Sequence, residues 1–540
     1  MRKLAALLVV SGSIAIGLGG CGDNSAGTQG GTLKVSFSGF PESLDPQLAY
    51  SAEGWSSIYN TYLPLLTYAH AEEDEGSEVI PALAEGLPKV SDDGKTYELT
   101  LRKGLKYSDG KPVKASDFKA SVERLFETES PGSPFFTDIV GAEDFFEGKA
   151  ESISGIETDD ATGEITIELT GPSGTFVNEL ATTFVAVVPA NTPPKDQTTS
   201  PPPATGPYEI VEVNPGRSWS YKRNPEWASN NAKLMPDLPN GHVDQIEAKV
   251  VRNEATQVNE VERGETNWMF DPVPSASAAK IKAKYEGTQF REEPSISTYY
   301  FWMNTKKAPF DDVKVRQAVN HALDPEALQR IYAGEIKPSQ QILPPDMPGH
   351  KEIELYPHDM EKAKELIAEA DPSDREITIW TNNLSPNDDA TAYYQDILEQ
   401  LGFDTELKTL GGDNFFPVIS KPSTPDLDTG WLNFFEDYPH PNDFFEPSLA
   451  GSSIAPVFNT NVAQMDDPEL NEKIEKLGSE PLGPEQEEAY AQLDREFMEE
   501  APWAPYGNRT LSLFVSDDIE MDEVIWNPTF SGDLTSFQFE

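Results

Sequence analysis

Apolar positions alternate with polar ones in some stretches of the chain and recur every three to four residues in others. Together the two periods predict a mixed α/β protein. In "GTLKVSFSGFPESLDPQ" the residues Leu33, Val35 and Phe37 fall on one face, a half-buried strand ended by Gly39 and Pro41. A helix is expected over residues 53–65. The stretch "VSDDGKTYELTLRKGLKYSDGKPVKASDFKASVERLF" reads as two strands divided by turns. Tyr97, Leu99 and Leu101 share a face, and Asp-Gly pairs at 93/94 and 109/110 supply the turn geometry. Ser116 is placed to cap the helix carrying Phe118, Val122, Leu125 and Phe126. "GEITIELTG" is a further strand, and the proline-rich "NTPPKDQTTSPPPATGPYEIVEV" is a surface loop leading into a strand near Tyr208. "STYYFWMNTKKAPF" is an aromatic strand, and "DDVKVRQAVNHALDPEALQRIYAG" is a helix pair with Asp311 or Asp312 near the first cap. "MEKAKELIAEA" and "AYAQLDREFMEEA" are amphipathic helices, with the strand "EITIW" between them, and no internal repeat is visible.

The first residues follow a different pattern. Arg2 and Lys3 precede an apolar run over residues 4–10, a Ser-Gly-Ser break and a second short run over 14–18. A charged start, a short apolar stretch and small residues make a secretory signal peptide, too short and too interrupted for a membrane span. "LGGC" at 18–21 ends on Cys21, the only cysteine in 540 residues. It cannot form an internal disulfide, and no Cys/His cluster makes it a zinc ligand. Leu18-Gly19-Gly20-Cys21 resembles the bacterial lipobox, which implies cleavage before Cys21 and a lipid anchor on it. The alternative is an ordinary signal peptide with an incidental cysteine. Residues 21–31, rich in Gly, Ser, Thr and Asn, then form a flexible tether.

Removing residues 1–20 leaves 520, too many for one core, so two or three domains are expected. The net charge of −51 becomes −53 once Arg2 and Lys3 are lost. A surface this acidic repels phosphates, so nucleic acid is excluded as a partner. The acidic residues either solvate an extracellular surface or recruit a cationic ligand.

Several pieces then stand together in one order: "SLDPQ", "LRKGLKYSDGKPVKASDFKASVERL", "TGPYEI" at 205–210, "FDDVKVRQAVNHALD" at 310–324 and "EDYPHPNDFF" at 436–445. Over nearly the whole mature chain they resemble the family 5 solute-binding proteins of ABC importers, the oligopeptide- and dipeptide-binding lipoproteins and their relatives. The resemblance implies an α/β, two-lobed periplasmic-binding-protein-like fold with a hinge and an extra inserted domain. Carried onto this chain, lobe one takes residues 32–52, 186–290 and 501–540, the insert 53–185, and lobe two 291–500. The hinge crossings fall near "TYYFWMN" and "APWAPYG", at 299–304 and 501–507.

In peptide-binding members an aspartate just before tyrosine in the late motif pairs with the ligand's α-ammonium, and Asp437, followed by Tyr438, matches that position. An ammonium taken out of water needs a charge-assisted acceptor. The competing reading has Asp437 capping a turn before Pro439. The family usually carries an aromatic, often tryptophan, three residues before this aspartate. Phe434 stands there, with Trp431 three further back, and these rings either wall the ligand cleft or pack in the core. His440 stands where many relatives carry an acid, which leaves the ligand class open.

The chain lacks G-x-S-x-G, a phosphate-binding glycine loop and H-E-x-x-H, and histidines 70, 242, 321, 350, 358 and 440 do not fall at metal-ligand spacing. No enzyme, cofactor or metal is therefore expected. The resemblance implies a monomeric, lipid-anchored receptor outside the cytoplasm that captures a peptide by hinge closure and delivers it to a membrane permease. Two alternatives stand beside it: a binder of a metal chelate, haem, opine or sugar, or a surface sensor or adhesion protein reusing the fold.

Overall fold

The structure, a computed structural model, describes residues 30–456 and 459–540. The expected signal peptide, Cys21 and most of the tether lie outside the described residues.

Two mixed β-sheets organise the chain, each with its own apolar core. The first runs, in spatial order, through Phe290–Glu293, Leu511–Val515, Trp268–Met269, Thr32–Phe37, Gln245–Val250, Ser218–Arg223 and Tyr208–Asn214. Its first strand in sequence pairs in parallel with Gln245–Val250 and Trp268–Met269 and buries Leu33, Val35 and Phe37, as the alternation predicts. The second sheet orders Ile336–Pro338, Trp503–Arg509, Ser297–Met303, Thr429–Phe435, Glu376–Asn382 and Asp404–Leu410. Ser297–Met303 is buried at every position, which explains an aromatic run without alternation: both faces of this central strand are covered. Tyr300 stacks on Trp503 at 3.6 Å, and Phe301 stacks on Tyr394 at 4.0 Å.

A four-stranded antiparallel sheet, Lys89–Val90, Thr96–Thr100, Glu164–Glu168 and Ile156–Thr158, is inserted in the first lobe. Its Tyr97, Leu99, Ile165 and Ile167 belong to the same continuous apolar cluster as Leu33 and Val35, so the insert shares the core of lobe one. Around the second turn, at Asp109-Gly110, pairing is only a single bridge between Lys106 and Pro112. The helix after it spans Ala115–Glu127 and starts one residue before the expected cap. Ser116 bonds to Asp160, and Asp117 instead accepts from the Lys114 backbone N–H at 2.9 Å. The helix expected over 53–65 stops at Tyr59. The Asn60 and Thr61 carbonyls accept from the backbone of Tyr208, Thr205 and Gly206, so the "TGPY" segment takes up groups that helix continuation would have used. Of the two candidate caps near 311, Asp312 is the one that caps, accepting from Lys314 N–H at 2.8 Å.

The chain passes between the large sheets twice, at residues 294–296 and at Thr510. These passages lie a few residues away from the expected crossings. Residues 299–304 and 501–507 mostly belong to paired strands of the second sheet, because their apolar side chains satisfy both of its faces. The two passages touch: Ser295 Oγ donates to the carbonyl of Arg509, which leads into Thr510, at 2.6 Å. The strands leading into them are neighbours in both sheets, Phe290–Glu293 with Leu511–Val515 and Ser297–Met303 with Trp503–Arg509.

Candidate functional site

The segment "EDYPHPND" leaves the second sheet directly after Thr429–Phe435 and runs into the helix Asn442–Leu449. Pro439 and Pro441 withhold two N–H donors, so the segment turns sharply, with His440 N–H on the Tyr438 carbonyl at 2.7 Å. Asp443, in the first turn of the helix, accepts from the Asp437 N–H through Oδ2 at 2.7 Å and folds the segment back on itself. Glu436, Asp437, Tyr438 and His440 are all buried as a result.

The first lobe grips this segment at three points. Tyr50 Oη donates to Asp437 Oδ2 at 3.0 Å, and Thr529 Oγ1 donates to Glu436 Oε1 at 2.9 Å. Phe135 of the insert lies edge-on to Tyr438, with ring centroids 5.8 Å apart. Tyr50 is presented by a loop that the "SLDPQ" motif holds rigid. The Asp45 carboxylate takes both terminal nitrogens of Arg124, at 2.8 and 2.5 Å, in a buried bidentate pair, and also accepts from Gln197 N–H at 2.9 Å.

The electrostatics are one-sided. Burial raises the carboxyl pKa values of Glu436, Asp437 and Asp443, the first to about 8, and the Asp443 carboxyl is pushed further by its neighbours Asp437 and Glu436. Glu179 of the insert is likewise pushed up to about 8 by burial. Among the described residues no lysine or arginine forms an ion pair with any of these four. Glu436 Oε2 and Asp443 Oδ1 are buried without a hydrogen-bond partner. His440 is neutral, its pKa pushed down by burial to about 4. Its Nδ1 accepts from Asn442 N–H at 3.1 Å, which puts the ring proton on Nε2, a buried donor without a partner. Such a site favours a cation, since a positive group entering it replaces protons on carboxyls that low polarity otherwise keeps neutral. No group of three or more His, Cys, Asp or Glu residues able to hold a metal ion occurs among the described residues.

The sequence-predicted residues divide. Asp437 and Tyr438 lie together at the contact between lobes. Trp431 and Phe434, three apart on one strand, point to opposite sheet faces, since side chains alternate along a strand. Trp431 is buried in the second core, where its indole N–H donates to Tyr506 Oη at 2.8 Å. Phe434 is half-buried and packs edge-on against Phe444 at 5.1 Å. The two rings therefore do not form one wall. Tyr50, Glu179 and Thr529 escaped sequence reasoning because their proximity is purely tertiary: Tyr50 lies 387 residues from Asp437. Glu436 and Asp443, in contrast, stand inside the late motif, where the excess of acids was open to reading.

Two lobes of mixed sheet joined by paired passages, with a buried site at their contact, define a two-lobed α/β binding protein. Residues 78–455 match the family described as bacterial extracellular solute-binding proteins, family 5 Middle, and the chain belongs to that family. It is 29% identical over 501 residues to heme-binding protein A of Haemophilus influenzae, covering 88% of this chain and 85% of that protein. It is 29% identical over 367 residues to the dipeptide-binding protein of Escherichia coli, covering 64% of each. In fold it is similar to clavulanic acid biosynthesis oligopeptide binding protein 2, with a TM-score of 0.86 and 24% identity over 95% of this chain and 96% of the other. Among the described residues no helix is long and apolar enough to cross a membrane.

Proposed function

We propose that this protein is the extracytoplasmic receptor of an ABC importer, that it takes a peptide between its lobes, and that Asp437 receives the peptide's α-ammonium. The observation that carries the reading is a buried carboxylate at the contact between lobes, held in place by Tyr50 and without a cationic partner. The peptide-binding relatives support it. Lipid on Cys21 would hold the receptor at the membrane, where a permease accepts the released peptide. One acyl chain anchors only marginally, so the several chains of a bacterial lipoprotein suit this role.

Calorimetry on Asp437→Asn and on N-acetylated peptide tests it. Asparagine keeps the shape and removes the charge, and acetylation removes the same interaction from the ligand side. Losing one partner of such a pair costs about 2 to 5 kcal/mol, roughly thirtyfold to several thousandfold in affinity. The two changes together should cost little more than either alone. Equal binding of free and acetylated peptide to the unaltered protein would mean that Asp437 has a structural role and that the ligand is of another class.

A further inference from the structure

The site holds more carboxyl groups than one ammonium can use. Glu436, Asp437 and Asp443 fall within eight consecutive residues, each more than nine-tenths buried. Asp437 is engaged by Tyr50 through Oδ2, Glu436 by Thr529 through Oε1, and Asp443 by the Asp437 backbone through Oδ2. That leaves Glu436 Oε2 and Asp443 Oδ1 buried with no partner, the positions at which an entering cation would replace a proton. Buried oxygens of this kind are rare in folded proteins and cost stability unless something donates to them. The neighbouring carboxyls Glu446 and Glu179 already have donors, Asn442 Nδ2 for the first and Thr175 Oγ1, at 2.7 Å, for the second. Among these neighbouring carboxyls, the oxygens without a partner belong to Glu436 and Asp443. No lysine or arginine among the described residues pairs with either.

We infer that the recognised end of the ligand carries two cationic groups close together, one for Asp437 and a second for Glu436 and Asp443. A peptide whose first residue is lysine or arginine has this chemistry. The inference rests on the reading that a ligand ammonium meets Asp437, and goes beyond it by naming the first side chain. A free diamine offers the same pair of charges without a peptide backbone. A neutral first residue leaves both oxygens unmet, and the difference should appear as selectivity at that position.

The test is calorimetry with Lys-Ala-Ala, with norleucyl-Ala-Ala, which matches the lysine stem without its charge, with the N-acetylated form of each, and with cadaverine. The variants are Glu436→Gln and Asp443→Asn, whose amide oxygens still accept from Thr529 and from the Asp437 backbone, so the fold of the segment is kept. Thermal melts confirm folding of each. The expected result is at least tenfold tighter binding of Lys-Ala-Ala than of the norleucine peptide, with that preference reduced severalfold in either variant. Equal binding of the lysine and norleucine peptides, with acetylation still weakening both, overturns the second cationic site and leaves the Asp437 reading intact. Lysine preference with free and acetylated peptides binding equally supports the second site and refutes the role of Asp437. Binding of cadaverine alone supports the paired-charge site and removes the peptide. A lysine preference unchanged in both variants overturns the assignment to Glu436 and Asp443.

Discussion

Gly174 offers a way to weaken ligand capture without touching the ligand. It lies in the insert, before the helix Phe176–Glu179, and its N–H donates to the carbonyl of Gly478 in the second lobe at 2.8 Å. A Cβ built on Gly174 would sit 1.9 Å from the Glu480 carbonyl oxygen and 2.6 Å from its carbon. Real Cβ atoms essentially never come closer than 3.0 Å, so Gly174→Ala forces the insert and the second lobe apart by about 1.1 Å. The displaced atoms are backbone, which cannot swing aside. The hydrogen bond to Gly478 is lost, about 0.5–1.5 kcal/mol net, and nearby contacts loosen, so the closed arrangement loses about 1–2 kcal/mol. Because a ligand held between lobes draws on the closed state, its affinity should fall about fivefold to thirtyfold. On the proposed closure the ligand-free protein is open and Gly174 does not meet Glu480, and alanine also narrows the unfolded ensemble, so the ligand-free melting temperature should stay level or rise slightly. Calorimetry with a binding peptide, a melt without ligand and solution scattering with ligand measure the three quantities. Unchanged affinity with an unchanged closed radius of gyration would refute the reasoning. So would a ligand-free melting temperature lowered by several degrees, which would mean that the contact persists without ligand.

Two further outcomes follow from other parts of the chain. Asp494, buried within the second lobe and pushed up to about 7, is protonated in the folded protein where the unfolded chain is ionised, so its stabilisation is complete below about pH 4 and is lost as pH rises to about 7. The ligand-free protein should therefore melt lower at pH 8.5 than at pH 5.5, and Asp494→Asn should flatten that slope; an unchanged slope in the variant would remove Asp494 from the account. Cys21→Ser should move the protein from the membrane fraction to the medium or leave it uncleaved, and membrane retention with normal processing would argue against a lipid anchor.

How much was legible in the sequence depended on the range of the cause. Strands and helices driven by their own periodicity, such as Leu33, Val35 and Phe37 or the helix Met360–Ala370, form where the pattern places them. The helix begun near residue 52 ends early because "TGPY", nearly 150 residues on, competes for its last carbonyls, and no local pattern carries that information. The aromatic runs misled for a related reason. "TYYFWMN" and "APWAPYG" have the composition of a covered strand, and a covered strand is rigid, so the passages between lobes fall instead at the short, more polar stretches around Ser295 and Thr510. At the site, Asp437 was reachable through its motif, whereas the hydroxyl that holds it comes from a residue whose own neighbourhood gives no sign of such a role.

The pairing of the same two strands on both sides of the passages has a mechanical consequence. A single two-stranded ribbon runs from one lobe into the other, interrupted only at residues 294–296 and at Thr510. Two strands side by side resist twisting and sliding past each other, because either would shear the ladder in both sheets, while they flex readily at the break. Relative motion of the lobes would thereby be narrowed toward one soft coordinate, and the proposed closure would return the acidic turn after Phe435 to the same docking position against Tyr50 each time.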